Sequence, residues 1–284
     1  MKNLVLLALI GIVWACQPKK ETETASTLPT LTLKWKTDTL LTTAESVIYD
    51  KTNDVLYVSN INGVPDAKDG NGFISKVTLD GKISDVKWIT GLDAPKGLGI
   101  VNGKLYAADI DRVHEIDIAS GKTLNSFVAE GAKFLNDITT GTDGKVYVSD
   151  TGAGEVLVLE NGVFSKWLIG QSSPNGLFAE GDNVIVALWD AKTLNVAALS
   201  TKQVTMKTDS IENPDGIVAL ANGGYLVSSW NGMVHYIDKD WNNTIVLDTR
   251  ADSIGAADIE YIPAKNLLLI PTFYKNSVMA YEVK

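Results

Sequence analysis

Two carboxylates and two carboxamides, Glu45, Asp215, Asn136 and Asn175, stand at matching points of a repeated motif. Brought together in a low-dielectric site, the two carboxylates repel each other unless a cation joins them. Four oxygen donors with an open side suit a hard divalent ion completed by water. An ion so held can polarise a carbonyl and activate a water. Lys96 occupies the same point of another repeat. It is an alternative counter-charge that needs no metal, or a group to hold an anionic substrate. Asn, Asp and Gly at such points also serve simply as turn residues. Residue types alone therefore leave metal and no metal open. A dedicated zinc cage is disfavoured, because the chain has one cysteine and two histidines.

The elements that must position these residues are strands. Short β-branched and aromatic runs recur, such as Val55-Leu56-Tyr57-Val58, Val146-Tyr147-Val148 and Tyr225-Leu226-Val227. Turn pairs including Asp80-Gly81, Asn102-Gly103 and Asn161-Gly162 separate them. A polar residue followed by a small residue and a strand-opening hydrophobe recurs at Glu45, Lys96, Asn136, Asn175, Asp215 and Ala257, at intervals of 51, 40, 39, 40 and 42 residues. Units of about 40 residues holding four strands are propeller blades. Six motifs predict an all-β, six-bladed β-propeller over residues 31–284. Leu31 to Lys36 alternates and precedes the first motif, so it is expected to complete the last blade and close the ring. Inner strands line the channel, which places the six motif residues around one mouth. The longer first interval falls in the loop Val64 to Gly72, where a lid over that mouth would lie.

The same segments resemble the gluconolactonase, regucalcin and senescence-marker family of six-bladed propellers. The closest matches are Leu135-Asn136-Asp137-Ile138 with Asp143 to Thr151, Ser173-Pro174-Asn175-Gly176-Leu177, and Asn213-Pro214-Asp215-Gly216-Ile217. The resemblance implies that Glu45, Asn175 and Asp215 hold one divalent cation, with Asn136 beside the ion or substrate. Ca²⁺ is expected first, with Mg²⁺, Mn²⁺ or Zn²⁺ as alternatives. It further implies hydrolysis of a lactone or related ester of a sugar acid, with Asp215 as both ligand and general base. Two positions depart from the family. Ser46-Val47 follows Glu45 where Gly-Pro is usual, and Phe134 stands where the animal members carry a substrate-contacting Arg. Lys96, Asp137 and Asp150 are the further candidates for substrate contact. The alternative function is a non-catalytic, envelope-tethered propeller serving as a binding or scaffold module.

Other features bound the reading. Net charge is −9, which gives no electrostatic footprint for nucleic acid. Lys2, the apolar run Leu4 to Trp14 and Val13-Trp14-Ala15-Cys16 resemble a bacterial lipoprotein signal. That run is too short to span a bilayer. The expected organisation is a signal peptide over 1–15, an acylated Cys16 with a polar tether over 16–30, and the propeller. Localisation at the outer membrane follows from the absence of Asp after Cys16. The membrane is contacted through the lipid alone, the substrate is a small molecule, and the protein is monomeric. His114 and His235 recur at one blade position, which favours a structural role for both. Gly141 to Lys145 reads as a hairpin turn and not a phosphate loop.

Overall fold

The structure is a computed structural model that describes residues 28–284. The signal and most of the tether, Cys16 included, lie outside the described residues. Six antiparallel four-stranded sheets follow one another around a central channel. Their inner strands are Ala44–Asp50, Pro95–Val101, Leu135–Thr140, Pro174–Glu180, Pro214–Ala219 and Glu260–Ile262. The six-bladed expectation therefore holds. Two 3-10 turns, Arg250–Asp252 and Pro263–Lys265, are the helical pieces among the described residues, and no helix there is long and apolar enough to cross a membrane.

The ring closes as the sequence predicts. Leu31–Lys36 pairs antiparallel with the final strand, Val278–Val283, and so becomes the outer strand of the last blade. The inner edges are joined directly as well. Ser46 bridges Asp258, and the Asp258 amide donates to the Glu45 carbonyl at 2.9 Å.

Alternation along each strand sends apolar residues into the gaps between blades, where most of the core lies. One such layer joins Tyr57, Ile74 and Ile89 of the first blade to Leu98, Leu105 and Ile116 of the second. Rings from outer strands seal these gaps, as where Tyr57 stacks on Trp88 at 4.7 Å. Packing of this kind leaves the channel to be lined by the inner strands alone.

Every inner strand of the first five blades is irregular at its motif. Pairing slips between Ala44 and Val47, Pro95 and Leu98, Leu135 and Ile138, Pro174 and Leu177, and Pro214 and Ile217. Two residues there oppose one on the neighbouring strand, which is a β-bulge. The motif pairs, such as Asn136-Asp137 and Asp215-Gly216, are the bulged residues. In three blades a serine of the second strand accepts the freed amide: Ser59 from Ser46, Ser149 from Asp137 and Ser228 from Gly216.

Candidate active site

The bulges stack the channel in layers. The upper layer holds Glu45, Lys96, Asn136, Asn175 and Asp215, and all five line one cavity of about 510 Å³. The next layer holds Ser46, Asp137 and Asp258, with Gly97, Gly176 and Gly216 between them. These glycines are required by contact distance, because a Cβ on Gly176 would lie 1.7 Å from the Asp215 carbonyl oxygen. Below comes an apolar layer that includes Val47, Leu98, Ile138 and Leu177, all buried. It borders a second cavity, of about 550 Å³, at the opposite mouth.

A second repeated feature fixes the walls. The residue just past the second strand is Ile61, Ile110, Thr151, Trp189 or Trp230 in the first five blades, and in the sixth Phe273 follows two residues past it. In four blades its amide donates to the carbonyl two residues ahead of the upper-layer residue: Ile61 to Thr43, Thr151 to Phe134, Trp189 to Ser173 and Trp230 to Asn213. Thr43, Ser173 and Asn213 all have positive φ, at 51°, 53° and 46°. Left-handed backbone is uncommon for such residues and turns the chain sharply into the bulge. The collar is thereby held directly above the oxygen donors.

The upper layer is desolvated. Asp215 is 2% exposed, Asn175 1% and Glu45 5%. The Asn175 amide nitrogen lies 3.2 Å from Asp215 Oδ1 and 3.3 Å from the Pro214 carbonyl. Two acceptors on that side set the amide's orientation and leave Asn175 Oδ1 without a partner. Glu45 Oε2 is also buried without a partner. Asn136 donates to Thr151 Oγ1 at 3.3 Å, and that hydroxyl donates to the Pro174 carbonyl at 2.7 Å.

Electrostatics follow from this burial. Desolvation and the neighbouring Asp215 push the Glu45 carboxyl well above the usual range, with Lys96 opposing. Desolvation and Asp258 do the same to Asp215. Desolvation brings the Lys96 ammonium down to about 8, against the opposing fields of Glu45, Asp109 and Asp66. Lys96 Nζ donates to the Ala94 carbonyl at 2.9 Å and lies 4.3 Å from the centre of the Phe134 ring. It makes no ion pair with Glu45 or Asp215. Counter-charging of the ring by Lys96 thus acts through the field and not through contact.

The remaining expected residues sort clearly. Asp137 sits one layer down and lines the opposite cavity, with its oxygens accepting from the Ile138 and Leu177 amides, both at 2.6 Å. Asp150 accepts from the amides of Lys133, Phe134 and Ala153 at 2.9, 2.9 and 3.0 Å, and so braces the loop that delivers Asn136. Neither carboxylate borders the 510 Å³ cavity, so the expected substrate contacts by Asp137 and Asp150 are not formed there. For Asp137 the reason is the bulge, which turns the first residue of the pair into the cavity and the second away. For Asp150, at the end of a second strand, it is that the loop amides take up both oxygens. Asp109 braces the second blade likewise, accepting from Asp93 and Ala94. His114 bridges Asp109 and Ser126 at 3.0 and 2.8 Å, and His235 contacts Asn243 at 2.7 Å. Both are built into blades as structural residues.

The inserted loop does reach the mouth, through Pro65. Its other contacts anchor it to the second blade, by the Lys68–Asp111 ion pair and by the Gly70 amide on Asp93 at 3.0 Å. Tyr274, Ser173 and Asp190 also border the cavity and were not legible as site residues. Tyr274 follows the recurring collar position by one residue, which is the signal that could have located it. Among the described residues no group of three or more His, Cys, Asp or Glu is placed so that it could hold a metal ion by itself. A metal at this mouth would depend on amide oxygens.

No family model matches the chain, and no curated protein matches it. Solved structures of the same fold are numerous. One carries a provisional gluconolactonase name, at 18% identity and TM-score 0.68, covering 86% of this chain and 89% of that one. A streptogramin B lyase aligns at 11% identity and TM-score 0.66, over 90% of this chain and 98% of its own. An inactive virginiamycin B lyase from Staphylococcus aureus, solved with quinupristin, aligns at 14% and 0.63, over 90% and 99%. At such identities these likenesses establish a shared six-bladed fold.

Proposed function

We propose that this propeller is a divalent-metal-dependent hydrolase that opens a lactone or related ester at the mouth bearing Glu45, Asn136, Asn175 and Asp215. One observation carries the reading. Glu45 Oε2 and Asn175 Oδ1 are buried without partners on the same cavity as Asp215. Unpaired buried acceptors are costly, and native proteins keep few of them without a purpose. Hard oxygen donors of this type fit Ca²⁺ first, and also Mg²⁺, Mn²⁺ or Zn²⁺. When bound, such an ion would polarise the scissile carbonyl and lower the pKa of a water.

The chain's own groups have separable roles. Asp215, buried at the floor of the cavity, takes the proton of the attacking water. Asn175 holds the Asp215 carboxylate in place through its amide nitrogen. Asn136, at the edge of the same layer, orients the acyl group. Lys96 is the cation available to the carboxylate that ring opening creates. The collar above excludes bulk water and strengthens each of these interactions. Solved propellers named for gluconolactonase and for streptogramin B lyase support an enzymatic use of this fold. Tethering through an acylated Cys16 would hold the monomer at the outer membrane, facing small-molecule substrates in the envelope.

The test is a thermal melt of the purified protein in chelator and then with each ion. An ion bound by the folded state alone adds roughly 2.7 kcal/mol at a hundredfold excess over its dissociation constant. A rise in Tm that is lost in Asp215→Asn, with ion-dependent lactone turnover, is the expected result. If no ion moves Tm, the ring is held by Lys96 and hydrogen bonds, and a binding scaffold is the reading that remains.

A further inference from the structure

The walls of the cavity differ sharply from its floor. Trp230 is the hub of an aromatic cluster, with ring centres 6.1 Å from Trp189, 5.2 Å from Phe273 and 5.8 Å from Tyr274. Phe273 and Tyr274 meet edge to face at 4.8 Å. All four rings line the cavity, and they belong to the fourth, fifth and sixth blades. The wall is firmly set. Phe273 has φ of 49°, and its amide donates to the Ala44 carbonyl at 3.2 Å, next to Glu45. Tyr274 stands at the rim, 67% exposed. An aromatic ring left this open beside three others presents a surface that a ligand would cover.

Polar groups above the floor are few, and the two aliphatic hydroxyls among them are already bonded. Thr151 Oγ1 donates to the Pro174 carbonyl, and Ser173 Oγ lies 2.5 Å from Asp190 Oδ2. Lys96 gives one of its three N–H donors to the Ala94 carbonyl and lies against the Phe134 ring, so it serves one anionic group at the floor rather than a set of hydroxyls. On the remaining side Ile61 and Pro65 complete the wall. A polyhydroxylated acid has several hydroxyls around its edge, and each needs a partner once buried. One C–H face of such a ring can stack on an indole, yet the edge hydroxyls remain unserved. Each one left unpaired weakens binding on the order of tenfold.

We propose that the site selects a lactone or ester carrying an aromatic or branched aliphatic substituent, which lies against Trp189, Trp230, Phe273 and Tyr274, and disfavours polyhydroxylated sugar acids. This rests on the hydrolase reading for the bond that is broken, and on the collar alone for the substituent. A cavity of about 510 Å³ accommodates a lactone ring with one phenyl-sized group. The reacting carbonyl would then face the oxygen floor, while the substituent occupies the aromatic side. Phe134, on the third blade, adds a further aromatic face to the same cavity.

Binding and turnover separate the two ideas. Trp189 and Trp230 report occupancy through tryptophan emission. The protein is titrated in chelator, where metal-dependent turnover is stopped, with γ-phenyl-γ-butyrolactone and with glucono-δ-lactone. Turnover of both is then measured with Ca²⁺ or Mg²⁺. At least tenfold tighter binding of the phenyl lactone is expected, and Trp230→Ala and Tyr274→Ala should each shrink that preference about tenfold. Tyr274 is largely exposed, so its substitution leaves folding intact if Trp230→Ala does not. Equal or weaker binding of the phenyl lactone, or binding of neither, overturns the proposal. Preferred binding without turnover of either lactone upholds the selectivity and overturns the hydrolase. Turnover of glucono-δ-lactone with no phenyl preference does the reverse.

Discussion

Glu45, Asn175 and Asp215 come from the first, fourth and fifth blades, yet all three are buried on the floor of one cavity. Removing the charge of either carboxylate tests the assignment directly. Glu45→Gln and Asp215→Asn should each lower kcat by at least a hundredfold while leaving Tm in chelator unchanged or raised, since each relieves a repulsion. A rate within threefold of the parent for both would remove these residues from the chemistry. One layer down, Asp258 gives a separate handle on pH. It is partly open to the opposite mouth, but the packed channel walls desolvate it and push its carboxyl up to about 7, with the Ser46 hydroxyl opposing. Its unfolded value is about 3.9. Between these values the folded chain holds a proton that the unfolded chain has released. The contribution is therefore fully present below about pH 4 and is lost as pH rises through about 7. Tm in chelator should fall between pH 5 and pH 7.5, and Asp258→Asn should flatten that slope. A slope unchanged in the variant would place its origin in other groups.

The bulge is the element that turns a strand residue into a site residue. Its two residues oppose one, so the first side chain faces the upper cavity and the second is packed into the channel. Where the second residue meets the next blade's backbone, only glycine fits. Gly176→Ala would drive a methyl group into the Asp215 carbonyl. The expected cost is about 3 kcal/mol, the upper end for overpacking, read by chemical denaturation. The ion-induced Tm shift should weaken too, because Asp215 is displaced; a fully retained shift would argue that Asp215 is not a ligand. Ser149→Ala is the milder probe, removing one buried acceptor for the Asp137 amide at a cost of about 1–3 kcal/mol. The motif's recurrence was visible in the sequence, since Asn136-Asp137-Ile138 and Asp215-Gly216-Ile217 align by eye. The bulge was not, because neighbouring residues in a regular strand and in a bulge read alike, and the slip is defined only against the partner strand. Asp137 reads as a site residue for that reason, and Asp150 because it ends a second strand on the same face, while the oxygens of both are taken up by backbone amides.

At the scale of the whole molecule, stability depends on closure. Leu31–Lys36 makes five registered pairs with the last strand, and Trp35 lies where a Cβ on Gly81 would clash with it. Deleting residues 31–36 should cost about 5 kcal/mol, at ~1 kcal/mol per lost ladder bond. It would also leave an unprotected edge that promotes association. Denaturation and light scattering check this; an unchanged, monomeric protein would mean that the inner bridges, Ser46 to Asp258 and Ala44 to Phe273, suffice to close the ring.

The sequence by itself determined the architecture, the blade count, the closing strand and the five polar residues at one mouth. Each follows from a period of about 40 residues and from strand alternation, both of which are local properties of the chain. Only the tertiary structure decided which oxygens stay free, which carboxylates brace loops, and that aromatic rings gather on one side of the mouth. Those outcomes depend on contacts between blades tens to hundreds of residues apart, such as Asn175 with Asp215 or Phe273 with Ala44. A repeat fixes where around the ring a residue stands, but hydrogen-bond partners and packing across the channel fix what its side chain is left to do.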